Sequence, residues 1–391
     1  MQRNVRLFQA GTFMGGLGDG IILVIAQLYL VSLGFKGSEI GAIFMLKPLG
    51  TGLVAIPAGF LADRYGKTRI LILGFLIFSA GAVILLFNRS FEFLVLSFLL
   101  FGLSDAGTVV LSPLYSSFFE SSEMDRAFGV LGFLNLIAIS VGSLFGVIPP
   151  ILVSSLALSR EASYWAMILA AMFFYTSRMP LYLLSSMKTD QILKMDRRLR
   201  ISSKGLIAKF SLFTMLREAG YAVLFALFPF YAYTRFGVES DALGGLFFLS
   251  WIASSLSNVT AARASQRFGA LKTIIFSLGS STILYLMISI APSFGMVSLI
   301  FLLRVSLANI SSPLVSSLFM RLLPPDEKST GNSFNMIAVM TGNAIGTWLG
   351  GKLMSEVSLD SPVYIGSALY LLCALSFYTL IGGGGEKVDS R

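Results

Sequence analysis

The sequence predicts an all-α integral membrane protein of twelve transmembrane helices arranged as two pseudo-symmetric six-helix bundles. Three observations predict it. Apolar stretches of about 20 residues or more, enough to cross a hydrocarbon core of roughly 30 Å as helices, recur from end to end. Lys and Arg collect on alternate connections between those stretches. Segments of the second half repeat the first at an offset of about 200 residues. Composition agrees, with 55% hydrophobic and only 13% charged residues and a mean hydropathy of +0.81, far more apolar than an ordinary soluble domain. The strand-length alternation of an outer-membrane barrel is absent.

The spans lie near residues 7–33, 38–62, 70–88, 92–118, 128–155, 162–187, 205–234, 241–262, 271–291, 294–320, 330–355 and 361–382. Met1 to Arg6 resembles a signal n-region, but the apolar segment behind it is too long and carries Asp19, so it is expected to stay as the first helix. Asp19 sits among Gly15, Gly16, Gly18 and Gly20 with no neighbouring base, and Gln27 follows two turns later on nearly the same face. The second span carries Lys47 and ends in Gly59-Phe60-Leu61-Ala62-Asp63-Arg64-Tyr65-Gly66-Lys67-Thr68-Arg69, a charged hinge before the third. The fourth span carries Asp105 and then Ser112-Pro113-Leu114-Tyr115-Ser116-Ser117-Phe118-Phe119. The fifth carries Asn135, Ala138, Gly142 and Gly146, small residues at a spacing that lets helices approach closely, and the sixth carries Arg178.

A basic polar stretch, 188–204, separates the halves, so the domains read as 1–187, a cytoplasmic linker, and 205–391. The seventh span carries Arg217, Glu218 and Tyr221. Between the eighth and ninth stands Gln266-Arg267-Phe268-Gly269, a degraded copy of Asp63-Arg64-Tyr65-Gly66. The tenth carries Arg304 and Ser312-Pro313-Leu314-Val315-Ser316-Ser317-Leu318-Phe319, six identities in eight with its partner. The eleventh repeats the fifth in Asn335, Ala338, Gly342 and Gly346. The twelfth holds the lone Cys373, which excludes an intrachain disulfide framework. Odd spans match odd spans, so the halves share orientation about an axis along the membrane normal.

With a cytoplasmic N-terminus, one side holds Arg3, Arg6, Arg64, Lys67, Arg69, Arg126, Lys188, Lys194, Arg197, Arg198, Arg200, Lys204, Arg263, Arg267, Lys272, Arg321, Lys328, Lys387 and Arg391. The other keeps only Lys36, Arg89, Arg160, Arg235 and Lys352. That bias supports the span count and its parity, and it reads the net charge of +9 as topology, not nucleic-acid binding. Histidine is absent, so proton chemistry near neutral pH falls to carboxylates, whose charged form burial disfavours.

Asp19, Asp105, Arg217, Glu218 and Arg304 lie roughly ten to fifteen residues into spans one, four, seven and ten, where each charge costs at least about 2.5 kcal/mol unless it meets partners or water. In the repeat Asp105 corresponds to Val305, one residue from Arg304, so an acid and a base at near-equivalent depths are expected to pair in one conformation and part in another. Glu218, a turn from the counterpart of Asp19, offers a second carboxylate. Lys47, Arg178, Gln27 and Tyr221 are further cavity-lining candidates. Static bridges that lock helices are the other reading of such charges.

The pattern GxxxDRxGKxR after the second span, the two parallel six-helix halves and the basic central loop resemble the major facilitator superfamily over essentially the whole chain. The resemblance implies that spans one, four, seven and ten line a central cavity, so that their charges mark a substrate and coupling-ion site. It implies that Gly59, Asp63, Arg64, Gly66, Lys67 and Arg69 clamp the cytoplasmic side, the glycines permitting close packing and unusual backbone angles. Gln266 in place of the acid argues against a symmetric second clamp. The implied activity is secondary active transport by alternating access, proton-coupled through Asp19, Glu218 or Asp105. The implied setting is a cell membrane, with both termini cytoplasmic, a monomer, and lipid, protons and a small-molecule substrate as partners.

No cofactor, metal site or nucleic-acid partner is expected. Resemblance to short prokaryotic exporters favours efflux. Antiporter members carry a GxxxGPxxGG-type signature in the fifth span; this chain keeps Gly142 and Gly146 but displaces the proline to Pro149 and lacks the paired glycines. Import or facilitated passage of a sugar or organic anion stays open, because four mid-span bases face three acids. An ATP motor is not visible, since no GxxxxGK[ST] loop occurs. An intramembrane enzyme lacks a histidine, a metal-ligand cluster or a nucleophile with an evident base. A non-transporting receptor or scaffold is the remaining class.

Overall fold

The computed structural model describes residues 2–120, 123–186, 202–324 and 327–381 and is built of helices. In chain order they are α1 Gln2–Ser32, α2 Gly37–Phe44, α3 Leu46–Tyr65, α4 Lys67–Phe87, α5 Phe91–Ser104, α6 Leu111–Ser116, α7 Met124–Leu144 and α8 Ile148–Leu156. Then follow α9 Arg160–Ser186, α10 Lys204–Phe225, α11 Phe228–Phe236, α12 Ser240–Phe268, α13 Ala270–Ile290, α14 Phe294–Leu322, α15 Lys328–Glu356 and α16 Ser361–Ile381. The linker up to residue 201, and with it most of the basic cluster, lies outside the described residues.

Each predicted span has a helical counterpart, and four are broken in two. The second breaks at Met45, the fourth at Asp105, the fifth at Phe145–Val147 and the seventh before Phe228. Two breaks have a direct cause in proline, which starts a helix but lacks the N–H to continue one: Pro149 and Pro229 open α8 and α11. Among the described residues nine stretches are long and apolar enough to cross a membrane, and Phe91–Ser104 is a shorter apolar helix. The eighth and eleventh spans, α12 and α15, are more polar, yet at 29 residues each they reach about 43 Å.

The duplication seen in the sequence is also conformational. Gly66, between α3 and α4, has φ 95° and ψ 144°, and Gly269, between α12 and α13, has φ 83° and ψ 148°. This region is open essentially to glycine alone. Each donates its N–H to the carbonyl four residues back, Ala62 at 3.0 Å and Ser265 at 2.9 Å.

The chain divides into two compact units, residues 1–197 with 238–251, and 198–237 with 252–391. In the first, α1 packs on α7 and α9; in the second, α10 packs on α15 and α16. Gly142 of α7 lies against the backbone of Leu17, and Gly342 of α15 against that of Met215. The start of α12 belongs to the first unit, where Arg160 pairs with Glu239 at 2.6 Å.

Charge pairing separates the two membrane faces. On the face with few bases, Arg89 pairs with Glu161 at 2.7 Å, Arg160 with Glu239, Arg235 with Asp360, and Lys352 with Glu356 at 3.9 Å. Among the described residues the bases of the other face form no ion pair.

Candidate functional site

In the first unit the glycines around Asp19 divide between two helices. Gly16 and Gly20 lie against Ala138 and the Ile139 carbonyl of α7, while Gly15 and Gly18 make room for Arg178 and the Tyr175 ring of α9. Successive residues of a helix face different neighbours, so four glycines in six positions open both sides of α1 at one depth. There the half-buried Asp19 accepts a short hydrogen bond from the Tyr175 hydroxyl. The Arg178 guanidinium stands 5.0 Å over the Tyr175 ring and 5.9 Å over that of Phe78. Asp19 forms no ion pair among the described residues, so its partner is a neutral phenol. Phe78, Thr108, Tyr175, Arg178 and Tyr182 line a cavity of about 30 Å³, enough for one or two water molecules.

Asp105 sits where α5 ends. Its carboxylate accepts from the Thr51 hydroxyl at 2.6 Å, and its carbonyl accepts from the Thr108 hydroxyl at 2.7 Å. Hydroxyls thus take up groups freed by the break in the fourth span. Thr51 thus engages the acid of the fourth span.

In the second unit Arg217 and Glu218 pair with each other, Nη2 to Oε1 at 2.8 Å, with side chains 14% and 19% exposed. Neighbouring helix positions point about 100° apart, but both side chains are long enough to meet. Arg304 is only 1% exposed and lies among four rings: Phe225 at 4.1 Å, Tyr370 at 4.7 Å, Tyr285 at 5.0 Å and Tyr221 at 5.3 Å. Ring faces stabilise a cation by about 0.5–2 kcal/mol each, the more so when desolvated. They leave its in-plane N–H groups unmet, and Nε and Nη2 of Arg304 are buried without an acceptor. The Tyr285 hydroxyl donates instead to the Gly220 carbonyl.

The family model described as Major Facilitator Superfamily matches residues 10–190 and 210–388. The chain belongs to the Major Facilitator Superfamily. The quinolone resistance protein NorA of Staphylococcus aureus (strain MRSA252) is 23% identical over 375 residues, 93% of each chain. Among solved structures, the nucleoside transporter NupG superposes with a TM-score of 0.75 at 14% identity, covering 96% of this chain and 98% of its own. A bacterial homologue of the iron transporter ferroportin, in an inward-facing state, gives 0.75 at 17% identity over 97% and 98%. Like its superfamily relatives, the protein is a multi-pass membrane transporter and not an enzyme.

In this superfamily member the hinge has a glycine at positive φ. Gly66 is buried with positive φ, whereas a Cβ at Gly59 would meet nothing within 4 Å. Arg64 lies 5.4 Å over the Tyr65 ring; Arg64 and Arg69 are exposed and Lys67 is half-buried. The side chain of Asp63 lies outside the described ones.

Of the other candidates, Gln27 is buried at 2%, Lys47 is exposed, Arg178 joins the Asp19 cluster and Tyr221 joins the rings over Arg304. The sequence reading missed Thr51, Tyr175, Phe225, Tyr285 and Tyr370. Nothing distinguishes the four aromatic ones locally among 34 Phe and 13 Tyr.

Glu327, just before α15, was also missed, although an acid ahead of a helix start is a recognisable signal. Its carboxylate accepts from the Ser202 hydroxyl, from the Ser202 N–H at 2.6 Å and from the Ser203 N–H at 3.1 Å, fastening the end of the linker. The Ser202 bonds, led by its hydroxyl, lower its pKa from the ordinary 4.5 to about 2. A depressed carboxylate stabilises the fold above its unfolded pKa and loses that contribution as pH falls towards its folded value. Thermal midpoints should therefore be lower for Glu327→Gln than for wild type at pH 7, with the gap closing between about pH 4.5 and 2. A gap constant with pH would assign the difference to packing.

Proposed function

We propose that this transporter couples solute movement to protons through Asp19, working by alternating access as a monomer in the cell membrane with both termini cytoplasmic. The observation that carries the reading is a mid-membrane carboxylate whose hydrogen-bond partner is the neutral Tyr175 hydroxyl and which no ion pair neutralises among the described residues. A carboxylate in that setting can take up a proton without breaking a salt bridge, whereas Glu218 is tied to Arg217. The excess of Lys and Arg on one set of connections supports cytoplasmic termini. Outward export by exchange for protons is preferred, and the similarity to a protein named for quinolone resistance supports it.

The test is a pH-jump measurement in sealed proteoliposomes carrying an internal pH dye, with a quinolone and a panel of small organic acids. Solute-induced proton movement opposite in direction to the solute is the expected result. Solute flux without proton movement would remove the coupling, and absence of any flux would favour a receptor or scaffold.

A further inference from the structure

We infer that Arg304 is a docking point for the carboxylate of an organic-acid cargo, an inference that rests on the transporter reading and names its substrate class. The two donors left without an acceptor, Nε and Nη2, are neighbours on one edge of the guanidinium. Their N–H bonds run parallel, the fork that a carboxylate meets with both oxygens. Cation–ring contacts occupy the faces of the group and leave this edge unmet.

The protein supplies no acid of its own for that edge within the surrounding helices. Helices α10, α13, α14 and α16, which carry Arg304 and its four rings, contain a single Asp or Glu, Glu218, and Arg217 holds it. Arg217, Glu218 and Arg304 together leave one positive charge uncompensated at this depth. A buried cation with two orphaned donors is expensive as a purely structural device, because an apolar residue would fill the space without that cost. A monoanion removes both costs at once.

Access passes Tyr221. Phe225, Tyr285 and Tyr370 are at most 3% exposed, whereas Tyr221 is 38% exposed and is the ring farthest from the cation. The same rings give the cargo an apolar, planar surface to lie on, so an aromatic acid fits better than an aliphatic one.

The test is calorimetric titration of the full chain in lipid nanodiscs with benzoate and its neutral isostere benzamide. Benzoate should bind and benzamide should not. Arg304→Gln should abolish benzoate binding in protein that still elutes as a single species. Arg304→Lys, which keeps the charge and loses the fork, should bind roughly tenfold more weakly, and it carries the test if the Gln variant misfolds. Equal binding of benzoate and benzamide, no benzoate binding by the wild type, or full binding in both Arg304 variants overturns the inference. Binding that appears only in Glu218→Gln assigns the edge to the protein's own carboxylate and overturns it too. Benzoate binding without proton coupling would sink the Asp19 relay alone, and coupled flux of other solutes without benzoate binding would sink the docking point alone.

Discussion

Asp19→Asn should lose proton movement in proteoliposomes by about a hundredfold or more, the usual effect of removing a positioned proton-transfer group, while solute exchange at equal pH continues. Asparagine keeps the size and the acceptor oxygen that Tyr175 donates to, so the local packing of α1 on α9 survives. What it cannot do is gain and lose a proton. Tyr175→Phe makes a useful companion, because it keeps the ring beneath Arg178 and removes the hydrogen bond. With the carboxylate still present, this variant should weaken solute-driven proton movement without abolishing it. Wild-type proton stoichiometry in Asp19→Asn would transfer the role to another acid.

The second large effect concerns stability. Gly142→Ala and Gly342→Ala should each lower the thermal midpoint in detergent, whereas Gly129→Ala should raise it slightly. A Cβ at Gly142 would run into the Leu17 carbonyl, and one at Gly342 into the Met215 carbonyl. Backbone on both sides cannot yield as a side-chain tip can, so each variant should cost about 1–3 kcal/mol, the range for overpacking. Gly129, in α7, has nothing within 4 Å of its Cβ position. There the alanine meets no obstacle and adds helix propensity of about 1 kcal/mol. Equal midpoints for all three variants would mean that the helix crossings relax apart at little cost.

These crossings illustrate what was legible beforehand. Asn135, Ala138, Gly142 and Gly146 matched Asn335, Ala338, Gly342 and Gly346 by spacing alone, and the structure puts Gly142 and Gly342 against equivalent first helices of their units. Gly66 and its copy Gly269 were legible in the same way, because a turn that only glycine can make leaves its glycine in the sequence. Gly59 belongs to the same motif, yet a Cβ added there would meet nothing within 4 Å. A motif records which residues occur together, not which of them is in contact.

The sequence by itself determined the membrane-spanning class, the duplication and the depth of the buried charges. Each of these depends on properties summed along the chain: apolar length, charge on successive connections, and position within a span. Only the tertiary structure decided the company those charges keep. Tyr175 is 156 positions from Asp19, and the rings over Arg304 come from α10, α13 and α16. Sequence periodicity tells which face of a helix turns inward, but not which helix stands opposite or which side chain reaches across. For Arg304 it is the fold that gathers four aromatic rings from three helices around one cation and leaves two of its donors without an acceptor.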